Sequence, residues 1–283
     1  MAERAPIHLG FVGGADNPPR EPILLLHPFL LSQSVWKYVA PQLAQTGRYE
    51  VFAPTMPGHN GGTRGRLFLD VATLADDVER RLDELGWTTA HIVGNSLGGW
   101  VSFELERRGR ARTLTGIAPA GGWDRFTPAK FEIIAKFMAG LPVILATTAL
   151  GQRIQRLPLS RQISYLAVSA TPDALNESDR HDLIEDVSHC PAYFELMYKA
   201  LTTPGLTELA QSRTPTHLVI CEKDRVLPAP RFTRHFTDNL PPGSEVTRLD
   251  GVGHVPMFEA PSRITELIVE FVDRHVGPER ATG

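Results

Sequence analysis

Two hydrophobic periods alternate along the first third of the chain. Ile7 to Val12 alternates apolar and polar residues and predicts a short strand. Ile23 to His27 is almost continuously apolar, the pattern of a strand buried on both faces of a parallel sheet. Ser34 to Ala44 changes to the helical period, with Val35, Trp36, Val39 and Leu43 on one side. Val51 to Pro54 predicts a strand again. Thr73 to Leu85 predicts an amphipathic helix, with Leu74, Val78, Leu82 and Leu85 as its apolar stripe and Gly86 as its stop. A strand at Ala90 to Val93, a helix from Gly99 to Arg107 and a strand at Leu114 to Ala118 complete the series. Strands alternating with helices predict an α/β fold with a mainly parallel sheet, in which ligands bind outside the carboxyl ends of the strands.

The alternation breaks near Trp123. From Asp124 to Leu209 the pattern is helical, with Phe131, Ile134, Phe137, Met138 and Leu141 at helical spacing and Pro142, Pro158, Pro172, Pro191 and Pro204 as punctuation. Strand character returns at Thr216 to Cys221 and Glu245 to Leu249. Helices are expected at Pro230 to Asn239 and Pro261 to His275, the last burying Ile264, Leu267, Ile268, Phe271 and Val272. The expected organisation is one α/β core, residues 1–123 and 210–283, interrupted by a helical insertion, residues 124–209.

Composition narrows the function classes. Of 283 residues, 42% are hydrophobic and 22% charged, ordinary globular values, and a net charge of −3 offers no general attraction to nucleic acid. The arginines at Arg107, Arg108, Arg110 and Arg112 follow a helix and suit its negative end. The two cysteines, Cys190 and Cys221, make no disulfide framework, and Met1 to Pro6 lacks an apolar signal core, so the expected compartment is the cytoplasm. No run of about 18 uninterrupted apolar residues predicts a membrane span. The histidines show no ligand spacing for zinc, and neither metal nor cofactor is expected.

The chemistry concentrates at Gly94-Asn95-Ser96-Leu97-Gly98, between a predicted strand and a predicted helix. A serine between glycines at such a junction suits a nucleophile elbow, a turn so sharp that bulky neighbours clash and the hydroxyl stands clear of the backbone. A serine hydroxyl needs a base, and the base needs an anion to fix its tautomer. Asp224 lies in the loop after the Thr216 to Cys221 strand and is the expected acid, with Glu222 as its local competitor. His254 lies between the last strand and the last helix, on a loop loosened by Gly251 and Gly253, and is the expected base.

With these residues in view the chain resembles the α/β-hydrolase superfamily of serine hydrolases, esterase-like and with a helical cap. The resemblance is carried by Gly-Asn-Ser-Leu-Gly-Gly from Gly94, Glu-Lys-Asp-Arg-Val-Leu-Pro from Glu222 and Gly-His-Val-Pro-Met-Phe-Glu-Ala-Pro from Gly253, and it runs from about residue 20 to 275. It implies a mostly parallel central sheet flanked by helices, with residues 124–209 as the cap. It implies Ser96 as nucleophile, Asp224 as orienting acid, His254 as base, and the backbone N–H groups of Phe29 and Leu97 as the oxyanion hole. His27-Pro28-Phe29 departs from the family's usual His-Gly turn; proline donates nothing, but the expected donor is the next residue. His27 and His59 are expected to be structural.

The implied reaction is hydrolysis of an ester, or a related acyl compound, of a small to medium apolar substrate through an acyl-serine. Leu30, Trp123, Met257 and Phe258 are expected near the serine as pocket residues. Epoxide hydrolases of this fold use an aspartate nucleophile, which Ser96 argues against. Meta-cleavage carbon–carbon hydrolases usually carry a glycine-rich early loop and a tryptophan after the histidine, where this chain has Pro28-Phe29-Leu30 and Val255. Perhydrolases often carry a proline where this chain has Leu30. A ligand receptor retaining the triad is the remaining alternative.

Overall fold

The computed structural model describes residues 3–11, 20–64, 68–124, 126–157 and 167–276. Its centre is a seven-stranded sheet. The strands are β1 (Ile7–Leu9), β2 (Glu21–Leu26), β3 (Tyr49–Ala53), β4 (Ala90–Asn95), β5 (Ala111–Ile117), β6 (Thr216–Cys221) and β7 (Glu245–Leu249), in the order β1-β3-β2-β4-β5-β6-β7. Only β1 runs antiparallel, pairing Ile7 with Ala53; all other pairs are parallel. The expected strand at Ile7 to Val12 is shorter than its sequence pattern, and Val12 lies outside the described residues.

The central strands show why their sequences are apolar on both faces. Ile23 and Leu25 pack with Val35, Trp36, Val39 and Ile268, whereas Leu24 and Leu26 pack with Leu74, Val78, Leu82 and Val101. The first side is covered by α1 (Val39–Gln45) and α8 (Pro261–His275), the second by α2 (Val71–Glu84) and α3 (Leu97–Arg107). Two expected helices are altered. Ser34 to Ala44 divides into a 3-10 turn at Gln33–Trp36 and α1, and Pro230 to Asn239 shortens to α7 (Arg234–Asn239). The arginines after α3 are tied in ion pairs rather than solvated alone: Arg108 reaches Asp76, Glu79 and Glu104, and Arg110 reaches Asp83.

Between β5 and β6 the described residues are helical, with α4 (Pro128–Leu150), α5 (Glu177–Ser188) and α6 (Tyr193–Thr202). Asn176 caps α5 reciprocally with Asp179, each side chain accepting from the other's backbone N–H. The segment Pro128–Arg156 is long and apolar enough to cross a membrane by length and composition. Lys130, Glu132 and Lys136 interrupt its apolar run, so the sequence pattern alone does not show its length. Each of these is engaged inside the protein: Lys130 Nζ donates to the Thr203 carbonyl, Lys136 Nζ to the Arg225 and Val226 carbonyls, and Glu132 pairs with Lys136 and Arg231.

Several histidines are built into this frame. His217 on β6 meets the Thr247 hydroxyl at 2.8 Å, and His59 Nδ1 donates to the Pro57 carbonyl at 3.1 Å. Burial pushes both imidazoles down to about 4, more than offsetting the backbone bonds at His59 and the Glu245 charge near His217. Folded protein therefore holds them neutral, while the unfolded chain takes up protons below about 6.5. The stabilisation is complete above that value and is lost as pH falls towards the folded value. At pH 5 each histidine is expected to have cost about 2 kcal/mol. Urea unfolding midpoints measured from pH 7 to pH 5 should fall accordingly, and a flat profile would show that these rings accept protons in place.

Candidate functional site

The first requirement of the site is a turn that aims Ser96 away from the sheet. β4 ends at Asn95 and α3 begins at Leu97, leaving Ser96 at φ 54°, ψ −114°, a strained conformation for any residue with a side chain. The turn is that tight because strand and helix nearly touch. A methyl group on Gly94 would overlap the Gly98 carbonyl and the Ser102 hydroxyl, and one on Gly98 would overlap the Leu26 carbonyl. The Ser96 N–H donates to the Ile117 carbonyl at 3.1 Å, and its own carbonyl accepts from Trp100 and Ala120, so the strained residue is fastened on both sides.

Asp224 and His254 form the second part. His254 Nδ1 lies 2.7 Å from Asp224 Oδ2, with both side chains buried. The other carboxylate oxygen accepts from the N–H groups of Val226 and Leu227, each at 2.8 Å. Burial works to raise this carboxyl, but the His254 charge, its hydrogen bond and the two backbone donors hold it below the usual carboxylate range. It is therefore an anion at neutral pH, facing one ring nitrogen. Glu222, the sequence competitor, instead accepts from the Gly251 N–H at 2.8 Å and pairs with Lys223. Among the described residues no formed hydrogen bond joins Ser96 to His254. Their loops are joined through Asn95, whose Nδ2 donates to the Ile117 carbonyl at 2.9 Å and to the His254 carbonyl at 3.0 Å.

The third part is the turn after β2. His27 Nε2 accepts from the Met56 N–H at 2.9 Å while Nδ1 donates to the Pro28 carbonyl at 2.8 Å. Both bonds can exist together only in the neutral Nδ1–H tautomer. Burial, and after it the neighbouring His59, hold the ring's pKa well below its ordinary value. The ring is thus a fixed strut that sets the Pro28 peptide and with it Phe29. Among the described residues, neither the Phe29 nor the Leu97 backbone N–H donates to another backbone group.

Two apolar chambers flank this constellation. A cavity of about 60 Å³ is lined by Phe29, Ser96, Leu97, Trp123 and Phe137, among others. A second, of about 450 Å³, lies against Leu30, Ile144, Val168 and Leu183. Phe137 and Val226 line both and form the partition. Trp123 lines the same cavity as Ser96. Leu30 does not: with φ at 68° it lines the second chamber instead. Met257 and Phe258 line neither chamber. The turn in which the Phe258 N–H donates to the Val255 carbonyl folds them into the core with Ile264 and Leu267.

The residues that hold the loops have no spacing signature in the sequence. Glu259 accepts from the N–H groups of Gly253 at 2.6 Å and Ala170 at 2.8 Å. The Val255 N–H donates to the Val168 carbonyl at 2.8 Å, and Arg225 donates to the Ser169 and Ala170 carbonyls. Residues 168–170 therefore clamp both the acid and the histidine loops. Asp186 on α5, fully buried, accepts from Ser32, Ser34 and Asn60 and anchors the insertion to the turn after β2.

Residues 23–267 match the model of the alpha/beta hydrolase family. An epoxide hydrolase of Mycobacterium tuberculosis, EphH, is 64% identical over 202 residues, covering 71% of this chain and 94% of the relative. Among solved structures, a bromoperoxidase from Bacillus anthracis has a TM-score of 0.74 at 18% identity, over 90% of this chain and 93% of that one. A thermophilic esterase from Thermogutta terrifontis has a TM-score of 0.71 at 18% identity, over 97% and 100%. At that identity the likeness is one of fold.

Asn95→Ala tests the tie between the elbow and the histidine loop. It strips a donor from two buried carbonyls, and urea unfolding is expected to show a loss of about 1–3 kcal/mol. An unchanged stability would mean that the loops are held without it.

Proposed function

The chain belongs to the alpha/beta hydrolase family and is a hydrolase; from that premise we propose that it cleaves carboxylic esters of small to medium apolar substrates through an acyl-serine on Ser96. The observation that carries the reading is the buried 2.7 Å pair of His254 and ionised Asp224, tied through Asn95 to a serine in a strained elbow. His254 takes the hydroxyl proton as Ser96 Oγ bonds to the acyl carbon, and the carbonyl electrons move onto oxygen. The free N–H groups of Phe29 and Leu97 receive that charge, each donor contributing about 3 kcal/mol to the transition state. His254 then returns the proton to the departing alcohol. Water, deprotonated by the same ring, releases the acid and restores the serine. The Ser96–His254 hydrogen bond forms with substrate in place, as such bonds tighten in the Michaelis complex. The helical insertion acts as the cap, and its apolar chambers lodge the uncharged groups of the ester.

The name of the mycobacterial relative favours a second reading, epoxide opening. Ser96 restricts how it would run. Attack by a serine oxygen on an epoxide carbon leaves an ether, which has no acyl carbon for water to attack and holds the enzyme permanently alkylated. Turnover would need His254 to deprotonate a water that opens the ring directly, with Ser96 outside the bond changes.

One pair of measurements separates the two. With p-nitrophenyl esters, Ser96→Ala is expected to lower kcat by roughly 10³-fold or more, as loss of a triad nucleophile does. Diol formation from epoxides that survives Ser96→Ala, with no ester turnover by the unaltered protein, would replace the ester reading. Phe137→Ala, which opens the partition, is expected to raise the ratio of kcat/KM for octanoate over acetate esters several-fold. An unchanged ratio would mean that the larger chamber does not receive the acyl chain.

A further inference from the structure

The least explained surface of the molecule is the outside of α4. A helix apolar on all sides belongs in a core or a membrane, because water is a poor solvent for every face of it. The inner face of α4 is accounted for: Ile133 and Phe137 line the chamber beside Ser96, and the Tyr193 hydroxyl donates to the Phe137 carbonyl at 2.7 Å. The outer face is not. Phe131, Ala135, Met138, Pro142, Leu145 and Ala149 follow one another at steps of four and three residues, and all are exposed. Phe131 is 50% exposed, Met138 46% and Leu145 55%, and only 11% of the helix's most apolar stretch is buried. No charged residue interrupts this ridge. The helix's three charges, Lys130, Glu132 and Lys136, all have partners within the protein. Just past its carboxyl end, Arg153 and Arg156 are exposed, and neither has an ion pair among the described residues.

We propose that this face is a docking surface for anionic lipid, with α4 lying flat in the boundary between headgroups and acyl chains. A ridge of about 28 Å, at 1.5 Å per residue from Phe131 to Ala149, is long enough to bury as an interfacial helix. The two guanidiniums sit at its end, where lipid phosphates would meet them. The charges also decide against a second copy of this chain. Two-fold pairing with the helices antiparallel would bring each Arg153 and Arg156 to the positive amino-terminal end of the other helix, where Glu132 is already paired with Lys136 and Arg231 and Asp124 leaves one carboxylate to face two guanidiniums. Parallel two-fold pairing would set guanidiniums against guanidiniums. A lipid surface supplies the missing negative charge and the apolar cover together. The inner face stays packed on the core, so the helix docks and does not span.

The test uses the intact protein in vesicle flotation, with phosphatidylcholine alone and with phosphatidylcholine containing phosphatidylglycerol. The protein is expected to float with the anionic vesicles. Met138→Glu with Leu145→Glu should cut that binding by about tenfold or more, since each places a charge in an apolar boundary. Arg153→Glu with Arg156→Glu should abolish the difference between the two vesicle types. Circular dichroism checks that the variants fold. Independently of them, an environment-sensitive fluorophore at Leu145→Cys should shift to the blue on anionic vesicles. Failure of the protein to float, an unshifted fluorophore, or undiminished binding by the glutamate variant overturns the proposal. A lipid-free dimer that Met138→Glu with Leu145→Glu disperses, without vesicle binding by the unaltered protein, assigns the face to a second copy instead.

Discussion

The site depends on one close approach, that of α3 to the strands β2 and β4. Gly94 and Gly98 let the helix start against the sheet with backbone nearly touching backbone, and Ser96 absorbs the resulting turn at φ 54°. Strain of this kind persists only where the surroundings over-determine it. Here the Ile117 carbonyl, the Trp100 and Ala120 N–H groups and the packing of Leu97 and Val101 do so. Any relaxation of the turn would lower the hydroxyl towards the backbone and also rotate the Leu97 N–H. The proposed nucleophile and one proposed oxyanion donor are therefore consequences of a single steric constraint.

The electrostatics follow from burial in the same frame. A low-dielectric interior disfavours charge, so the buried imidazoles of His27 and His59 are neutral, and His27 becomes a two-ended strut with a fixed tautomer. Asp224 is the exception, held ionised by His254 and by two N–H groups that accompany the turn after β6. One buried anion facing one imidazole nitrogen would stabilise the imidazolium that His254 becomes in the proposed reaction.

Much of this was legible along the chain because it is local. Period-two and continuous apolar runs located the strands β2 through β7, and the elbow glycines carry their steric reason in their identity. The order of Ser96, Asp224 and His254 follows strand order, and each stands where a strand ends. What was not legible depends on distance in space. A turn of the backbone at Leu30 sends its side chain to a second chamber, and a hydrogen-bonded turn carries Met257 and Phe258 into the core; neither conformation has a spacing signature. The clamps made by Glu259 and Asp186 join segments far apart in sequence, and nothing in either neighbourhood announces the partner. The apolar surface of α4 was hidden for a different reason. Three charges near its start break the run, and only their inward partners show that they do not face solvent on the ridge.

The clamp at residues 168–170 makes the helical insertion part of the site rather than a cover laid over it. The Val168 carbonyl accepts from Val255, the Ser169 and Ala170 carbonyls from Arg225, and the Ala170 N–H shares Glu259 with Gly253. On the core side Gly253 and Val255 flank His254 and Arg225 follows Asp224, while Glu259 reaches the same segment from the turn beyond the histidine. Displacing this segment would therefore cost several buried hydrogen bonds and disturb the pair at the same time. On α4, whose outer side is largely exposed among the described residues, Phe137 lines both cavities. The same insertion thus serves the site twice: one segment holds the loops of the charged pair, and α4, tied inward through Lys130, Lys136 and the Phe137 carbonyl, lines the apolar space beside Ser96.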